Sequence, residues 1–385
     1  MTGVMKPPAL FDGLLTVMLG LTLALLCGCD EPGARVTEPH IGGSRLGVFL
    51  GKDDGSAAFA QADQPVDFVF PREHQQHPDF RSEWWYLTMT LATDDGREFG
   101  AQFTVFRQAL QPVSPAAVRS SDWALDQVYL GHLAVTDVVA GKHEHEERLS
   151  RQHPELAGVQ LLADGGARVY LEGWQLDLQA NGGHLIAQGS DLSLDLEFNA
   201  AREPVLQGER GWSRKSESQA SNYYSWPRLQ MVGEIRVGGE THQLRGLGWF
   251  DHEWSTSVLS AEQIGWEWFA LSLDDGRDLM VFRLRRQDGR RDQHDHGILV
   301  AADGTKKVLG AGDFELQPER TWTDPAGVVW PLGWKLTVGS EVFLIETPVD
   351  DQRMQTLIPY WEGLVDVTSG VGKQLGNGYM ELTGY

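Results

Sequence analysis

The feature that most constrains this chain is an internal duplication: one set of strand and turn words occurs twice, in the same order. Glu83-Trp84-Trp85-Tyr86 leads through Leu91 to Asp94-Asp95-Gly96-Arg97 and Val105-Phe106-Arg107. Trp266-Glu267-Trp268-Phe269 leads through Leu273 to Asp274-Asp275-Gly276-Arg277 and Val281-Phe282-Arg283. Gly173-Trp174-Gln175-Leu176 then matches Gly333-Trp334-Lys335-Leu336, and Gly246-Leu247-Gly248-Trp249-Phe250-Asp251 matches Gly376-Asn377-Gly378-Tyr379-Met380-Glu381. Collinear matches over this span imply two related domains, because the period is far longer than that of a solenoid repeat.

The words themselves are β. Trp85, Leu87, Met89 and Leu91 share one face of a strand while Trp84, Tyr86, Thr88 and Thr90 share the other. Asp-Asp-Gly then supplies a hairpin turn, since glycine reaches positive φ without strain. Arg168 to Leu178 and Ser190 to Phe198 repeat the alternation, and no long window after the leader combines a helical period with caps. Many short strands with turn signals about every ten residues predict an all-β chain of two tandem antiparallel barrels. An eight-strand barrel has room for one small ligand, as in lipocalins, and aromatic residues at strand positions suggest a lined interior. The domains are expected at 66–254 and 264–385, with Ser255 to Gln263 as connector.

The 385 residues carry a net charge of −22, which repels nucleic acid and anionic membrane surfaces, so no nucleic-acid partner is expected. The amino terminus adds an apolar run from Leu14 to Leu26, too short to span a bilayer and of signal-peptide length. Leu26-Cys27-Gly28-Cys29 follows and resembles a bacterial lipobox. That resemblance implies a signal peptide over 1–28, cleavage before Cys29, lipidation of its sulfur and, with Asp30 next, retention at the inner membrane facing the periplasm if the host is Gram-negative. Both cysteines lie here, so the exported part has no thiol nucleophile and no internal disulfide. Residues 29–65 read as a tether.

Candidate chemistry gathers where aromatic residues stand beside titratable groups. The clusters are His74, His77 and Glu83 with Trp84-Trp85; Tyr223-Tyr224-Ser225-Trp226; Trp249 to Trp254; Trp266-Glu267-Trp268; and Tyr360-Trp361-Glu362. Tryptophan also fills cores with its N–H on a nearby carboxylate, which is the bland account of each. A carboxyl group against indole in a dry pocket, however, has its charged form disfavoured and becomes a usable acid near neutrality. Asp251-His252-Glu253 is the sharpest acid-base candidate, because the second copy has Glu381-Leu382-Thr383 there; the alternative is a solvated hinge with an ion pair to an arginine such as Arg245. Glu83 joins it as a further candidate. Trp84, Trp85, Tyr224, Trp249, Trp254, Trp266, Trp268 and Trp361 are candidate ligand contacts. His143-Glu144-His145 and His294-Asp295-His296 have ligand-like spacing but read as polar hairpin loops, so no metal is expected. No phosphate-binding glycine loop and no Gly-x-Ser-x-Gly elbow is present, and no cofactor is expected.

Phe70-Pro71-Arg72-Glu73-His74, Ser82-Glu83-Trp84-Trp85-Tyr86, Tyr223-Tyr224-Ser225, Gly248-Trp249-Phe250-Asp251-His252-Glu253-Trp254 and Gly265-Trp266-Glu267-Trp268-Phe269 together resemble the carotenoid 1,2-hydratase (hydroxyneurosporene synthase) and AttH-like family, from about Val66 to Tyr385. The resemblance implies two lipocalin-like barrels. It implies either of two activities. One is an envelope lipoprotein binding an apolar or lipid-like molecule beside an ABC transporter permease of the FtsX type. The other is a hydro-lyase adding water to an isoprenoid-type double bond, with Asp251 as acid and His252 or Glu253 orienting water. A structural envelope protein is the third class, and it would need no apolar cavity.

Overall fold

The structure, a computed structural model, describes residues 58–112, 125–257 and 259–385. The signal peptide, Cys29 and most of the tether lie outside the described residues. Two antiparallel sheets result from the alternation, and no α-helix occurs among the described residues. The first sheet takes β1 (Ser82–Ala92), β2 (Glu98–Ala109), β3 (Gln127–Asp137), β4 (Lys142–Arg151), β5 (Ala157–Leu161), β6 (Ala167–Leu171), β7 (Trp174–Gln179), β8 (Gly182–Gln188), β9 (Ser193–Ala200), β10 (Val205–Leu206), β11 (Trp212–Arg214), β12 (Ala220–Val237) and β13 (Glu240–Ser255). Its strand order is β4-β3-β2-β1-β13-β12-β9-β8-β7-β6-β5, with β10 and β11 on β12. The sheet curls until Arg148 on β4 reaches the backbone carbonyls of Glu172 and Gln188, so the two edges nearly meet.

The second sheet takes β14 (Gln263–Leu273), β15 (Asp278–Arg286), β16 (His296–Val300), β17 (Lys306–Gly310), β18 (Phe314–Thr323), β19 (Val329–Val338), β20 (Glu341–Glu346), β21 (Arg353–Met354), β22 (Tyr360–Ser369) and β23 (Gln374–Leu382). Its order is β17-β16-β15-β14-β23-β22-β20-β19-β18, with β21 on β22. The two sheets are tandem lipocalin-like barrels, the same wrap made twice.

Each barrel is filled with its own side chains. Trp85, Leu87, Met89 and Leu91, the inward face of β1, pack with Phe99, Phe103, Trp174 and Trp226 in the first core. Phe269, Leu271, Trp334 and Trp361 do the same in the second. Each buried tryptophan adds about 4–6 kcal/mol of transfer free energy, an upper bound because the unfolded chain already hides some of this surface. The lined interior expected from the sequence is therefore taken up by core: the aromatic volume of the inward faces fills each barrel.

The outward face of β1 has another destination. Tyr86 packs with Tyr223 and Trp249 of the first sheet against Trp268, Met280, Phe282 and Tyr379 of the second, forming an apolar layer between the barrels. Gly100 on β2 permits this approach, since a Cβ there would sit 2.9 Å from Leu364 Cδ2 and 3.1 Å from the Tyr379 hydroxyl. Where β12 meets β13 the register slips between Trp226 and Leu229. Pro227 has no N–H to donate and Arg228 takes φ 57°, and the resulting bulge carries the Arg228 guanidinium to Asp278 of the second sheet, 2.9 Å away. Folded structure also begins earlier than Val66: Phe59 is buried, and the Trp212 N–H donates to the Ala62 carbonyl at 2.6 Å.

Candidate functional site between the two barrels

Alternation on β13 separates the three acid-base candidates. Phe250, His252 and Trp254 point into the first barrel, while Trp249, Asp251 and Glu253 point towards the second. Asp251-His252-Glu253 is thus two sites back to back. Glu83 and Trp84, adjacent on β1, divide in the same way.

On the inner side Glu83 is fully buried and saturated. It accepts from Arg107 Nε at 2.8 Å, from the His77 backbone N–H at 3.0 Å, from His77 Nδ1 at 2.7 Å and from His252 Nε2 at 2.9 Å. Burial works against its charge, but the Arg107 guanidinium and the two histidines outweigh it and hold the carboxyl well below its usual range. His77 is likewise opposed by burial and raised by its bonds to Glu73 and Glu83. His252 is lowered by burial despite its contact with Glu83. His77 also stacks on Trp254 with ring centroids 3.6 Å apart, and Tyr224 donates to or accepts from His74 Nδ1 at 2.6 Å. His77, Glu83 and His252 offer ligand atoms within 4.8 Å of one another. Both histidine nitrogens are spent on Glu83 Oε1 while the Arg107 guanidinium holds Oε2, so a cation there would have to replace the histidine protons beside a fixed positive charge, and the set fits a self-neutralised ionic plug better than a metal.

The outer side is different. A narrow cleft of about 60 Å³ opens between the barrels, lined by Trp84, Tyr86, Trp266, Trp268, Phe282 and Leu284 with Lys215, Tyr223, Asp251, Glu253 and Glu381. Asp251 accepts from Trp249 Nε1 and from the Tyr223 hydroxyl, each at 2.9 Å, and from the Ser225 hydroxyl. Among the described residues no cation pairs with it. Burial dominates over these donors and, with the Glu253 charge nearby, pushes the carboxyl up to about 7. Glu381 is raised to about 8, again by burial first, with the Trp266 side chain pulling the other way and the Asp251 and Glu253 charges adding to the rise. Glu253 stands apart, being paired with Lys215 at 2.9 Å. Lys215 lies over the Phe282 ring, 4.2 Å from its centroid. Two carboxyls that hold protons near neutrality therefore face three indoles, which is the arrangement a general acid needs.

A second, smaller chamber of about 30 Å³ shares Trp84, Tyr86, Trp266 and Glu381 and adds Thr104, Phe106 and Tyr360. Beside it lies Glu362, fully buried and directly across the β22–β23 pair from Glu381. Burial and the Glu381 charge push its carboxyl well above the usual range.

The AttH-like family model matches residues 61–385. This chain belongs to the AttH-like family. A crystal structure of an AttH-type protein from Nitrosomonas europaea is 32% identical, with a TM-score of 0.76 over 85% of this chain and all of that one. Kievitone hydratase from Nectria haematococca shares the fold at 15% identity, with a TM-score of 0.62 over 87% of this chain and 98% of that one. No protein of curated function matches in sequence.

Within this AttH-like chain the sequence-derived candidates divide cleanly. Asp251, Glu253, Trp84, Trp266 and Trp268 line the cleft, and Trp249 reaches it through its bond to Asp251. Glu83, His252, Trp85, Tyr224 and Trp254 lie in the first barrel, and Trp361 lies in the second. Arg245 pairs with Asp94 rather than with Asp251. His143 and His145 stand on strand β4 instead of a loop, held there because β4 pairs along its length with β3. The copies also align differently from the word match: Glu83 opposes Arg107 and Glu267 opposes Arg283, which makes Glu381 the counterpart of Glu253 and Met380 that of His252. Sequence reasoning missed Lys215 and Glu381 as site residues and named Tyr223 and Glu362 only as members of aromatic clusters, without a role. The duplicated words carried a signal for Glu381, since strand pairing sets it opposite Trp268 as Glu253 stands opposite Trp84.

Proposed function

We propose that this protein is a hydratase-type acid catalyst acting on an apolar compound with an isoprenoid-type double bond, bound between the barrels. The observation that carries the reading is Asp251: buried, without a cationic partner, raised to about 7, and facing Trp84, Trp266 and Trp268 across the cleft. The Asp251 carboxylic acid gives its proton to the less substituted alkene carbon. The indole faces stabilise the tertiary carbocation that results. Water adds to the cation and its surplus proton returns to the Asp251 carboxylate, so that alkene and water become a tertiary alcohol with the enzyme unchanged. Kievitone hydratase, which has this fold, carries the reaction class in its name.

A second reading keeps the cleft and removes the turnover: a lipid-anchored, periplasm-facing carrier working with an FtsX-type ABC transporter. The Leu26-Cys27-Gly28-Cys29 tetrapeptide favours it. Incubation with a panel of acyclic isoprenoids and prenylated phenols in ¹⁸O-labelled water separates the two. Hydration gives products heavier by one labelled water, and Asp251→Asn lowers their rate by about 10²–10⁴-fold. Ligand retained unaltered by both proteins would make the carrier reading the right one.

A further inference from the structure

Asp251 is buried, with only 2% of its surface exposed, so an acid that gives up a proton here gains from a path by which protons return to it. Such a path runs through the second chamber. Glu147 on β4 is partly exposed, and its Oε2 lies 3.1 Å from Nε2 of the fully buried His132. Nδ1 of His132 lies 2.7 Å from the Tyr360 hydroxyl, which crosses from the first barrel to the second. The Gln102 side-chain N–H holds that hydroxyl from the side at 3.3 Å. Beyond Tyr360 stands Glu362. The Tyr86 and Tyr360 hydroxyls lie close enough to favour its charge, yet neither is aligned for a well-formed hydrogen bond. Both Glu362 oxygens, the Tyr86 and Tyr379 hydroxyls and Gln102 Oε1 are buried without a partner among the described residues. Orphaned buried polar atoms gathered in one place are what a bridging water or a transferred proton satisfies.

We propose that Glu147, His132, Tyr360 and Glu362 form a proton relay between solvent and the carboxyls of the cleft, built across the seam between the two barrels. The inference rests on the cleft being the working site. In the outward direction Glu362 passes its proton to the Tyr360 oxygen, Tyr360 passes its own to His132 Nδ1, and His132 releases the one on Nε2 to Glu147. The imidazole ends in its other tautomer and is set for the inward transfer, which reverses each hop. The charges of the groups suit this direction. Burial keeps His132 neutral, while the His132 bond, the Leu357 N–H and proximity to His145 hold Glu147 ionised at the outer end. Glu362, uncompensated inside, is the end that stores the proton.

His132 and Tyr360 are positioning and proton-conducting residues here, so the test needs no substrate. Infrared spectra of the whole described fold, recorded after transfer into D₂O near neutral pH, show the C=O band of protonated buried carboxyls and the rate at which it shifts as deuterium arrives. In His132→Gln, which keeps hydrogen-bonding groups but cannot relay, the band remains and its shift slows by roughly tenfold or more. Tyr360→Phe slows it similarly. Glu147→Gln, at the surface and without risk to the fold, slows it too. Equal exchange rates in the wild type and all three variants would overturn the relay. Absence of any protonated carboxyl band in the wild type would overturn both the relay and the acid role of the cleft, whereas a band with fast exchange in every protein would leave the acid role standing alone.

Discussion

The two faces of β13 hold the same kinds of side chain and put them to opposite ends. Inward, Glu83 and its neighbours His77 and His252 meet Arg107, and every carboxylate oxygen has a donor. Outward, one residue from His252 on the same strand, Asp251 has donors but no cation among the described residues, and Glu381 across the cleft, half-buried, has none either. Glu83 and Asp251 are equally buried. The counter-ion decides the outcome: a matched set of charges becomes structure, and an unmatched carboxyl becomes a store of protons.

Glu83→Gln breaks the inner set at its centre and leaves Arg107 buried without its partner. It is expected to lower stability by about 3–5 kcal/mol, measured by urea unfolding at neutral pH. A smaller effect with opposite pH dependence is expected on the outer face. Asp251 and Glu381 are raised above their ordinary values of 3.8 and 4.5, so their contribution to stability is complete in acid and is lost as pH climbs towards 7 and 8. Glu83 runs the other way, its contribution being present above 4.5 and lost as pH falls below that. Asp251→Asn should therefore outlast the wild type by on the order of a few kcal/mol at about pH 8.5 and lose that advantage near pH 4, read from urea midpoints across the range. Equal pH profiles for the two proteins would erase the distinction between the faces.

The second barrel offers a milder version of the same contrast. Glu267 pairs with Arg283 at 2.8 Å and with Arg285 at 3.4 Å, and both arginines are partly open to solvent. Glu267→Gln is expected to cost only about 1–2 kcal/mol, because water can solvate the arginines that Arg107's burial denies to its own. Smallest of all, Arg245→Ala removes an exposed pair with Asp94 and should change stability by no more than ~0.5 kcal/mol.

How much of this could be read from the chain depends on which interactions are local. The duplication, the strand faces of Trp84 to Leu91 and the hairpin turns follow from period and turn chemistry, and they lead directly to two barrels. Asp251 was legible as an acid because indole flanks it in sequence. His252 was not separable from it by composition: only the pleat, which sends neighbours to opposite faces, puts it in another site. Trp85, Trp254 and Trp361 resemble Trp84 and Trp266 in every local respect, and their burial in barrel cores depends on curvature that no short segment carries. Glu381 and Lys215 became visible as site residues only when strands distant in sequence were brought together. The location of the cleft follows the same rule, since the interior capacity of a barrel is set by how much aromatic volume its inward faces bring.

The seam between the barrels has a bearing on descent. Neither copy can make the cleft from its own outer face, because Asp251 and Trp84 come from one and Glu381, Trp266 and Trp268 from the other. An ancestor with a single barrel could have owned such a site only by meeting its twin. Joined in one chain, each half is free of having to be both halves, and the matched positions differ accordingly, Asp251 against Tyr379 and His252 against Met380.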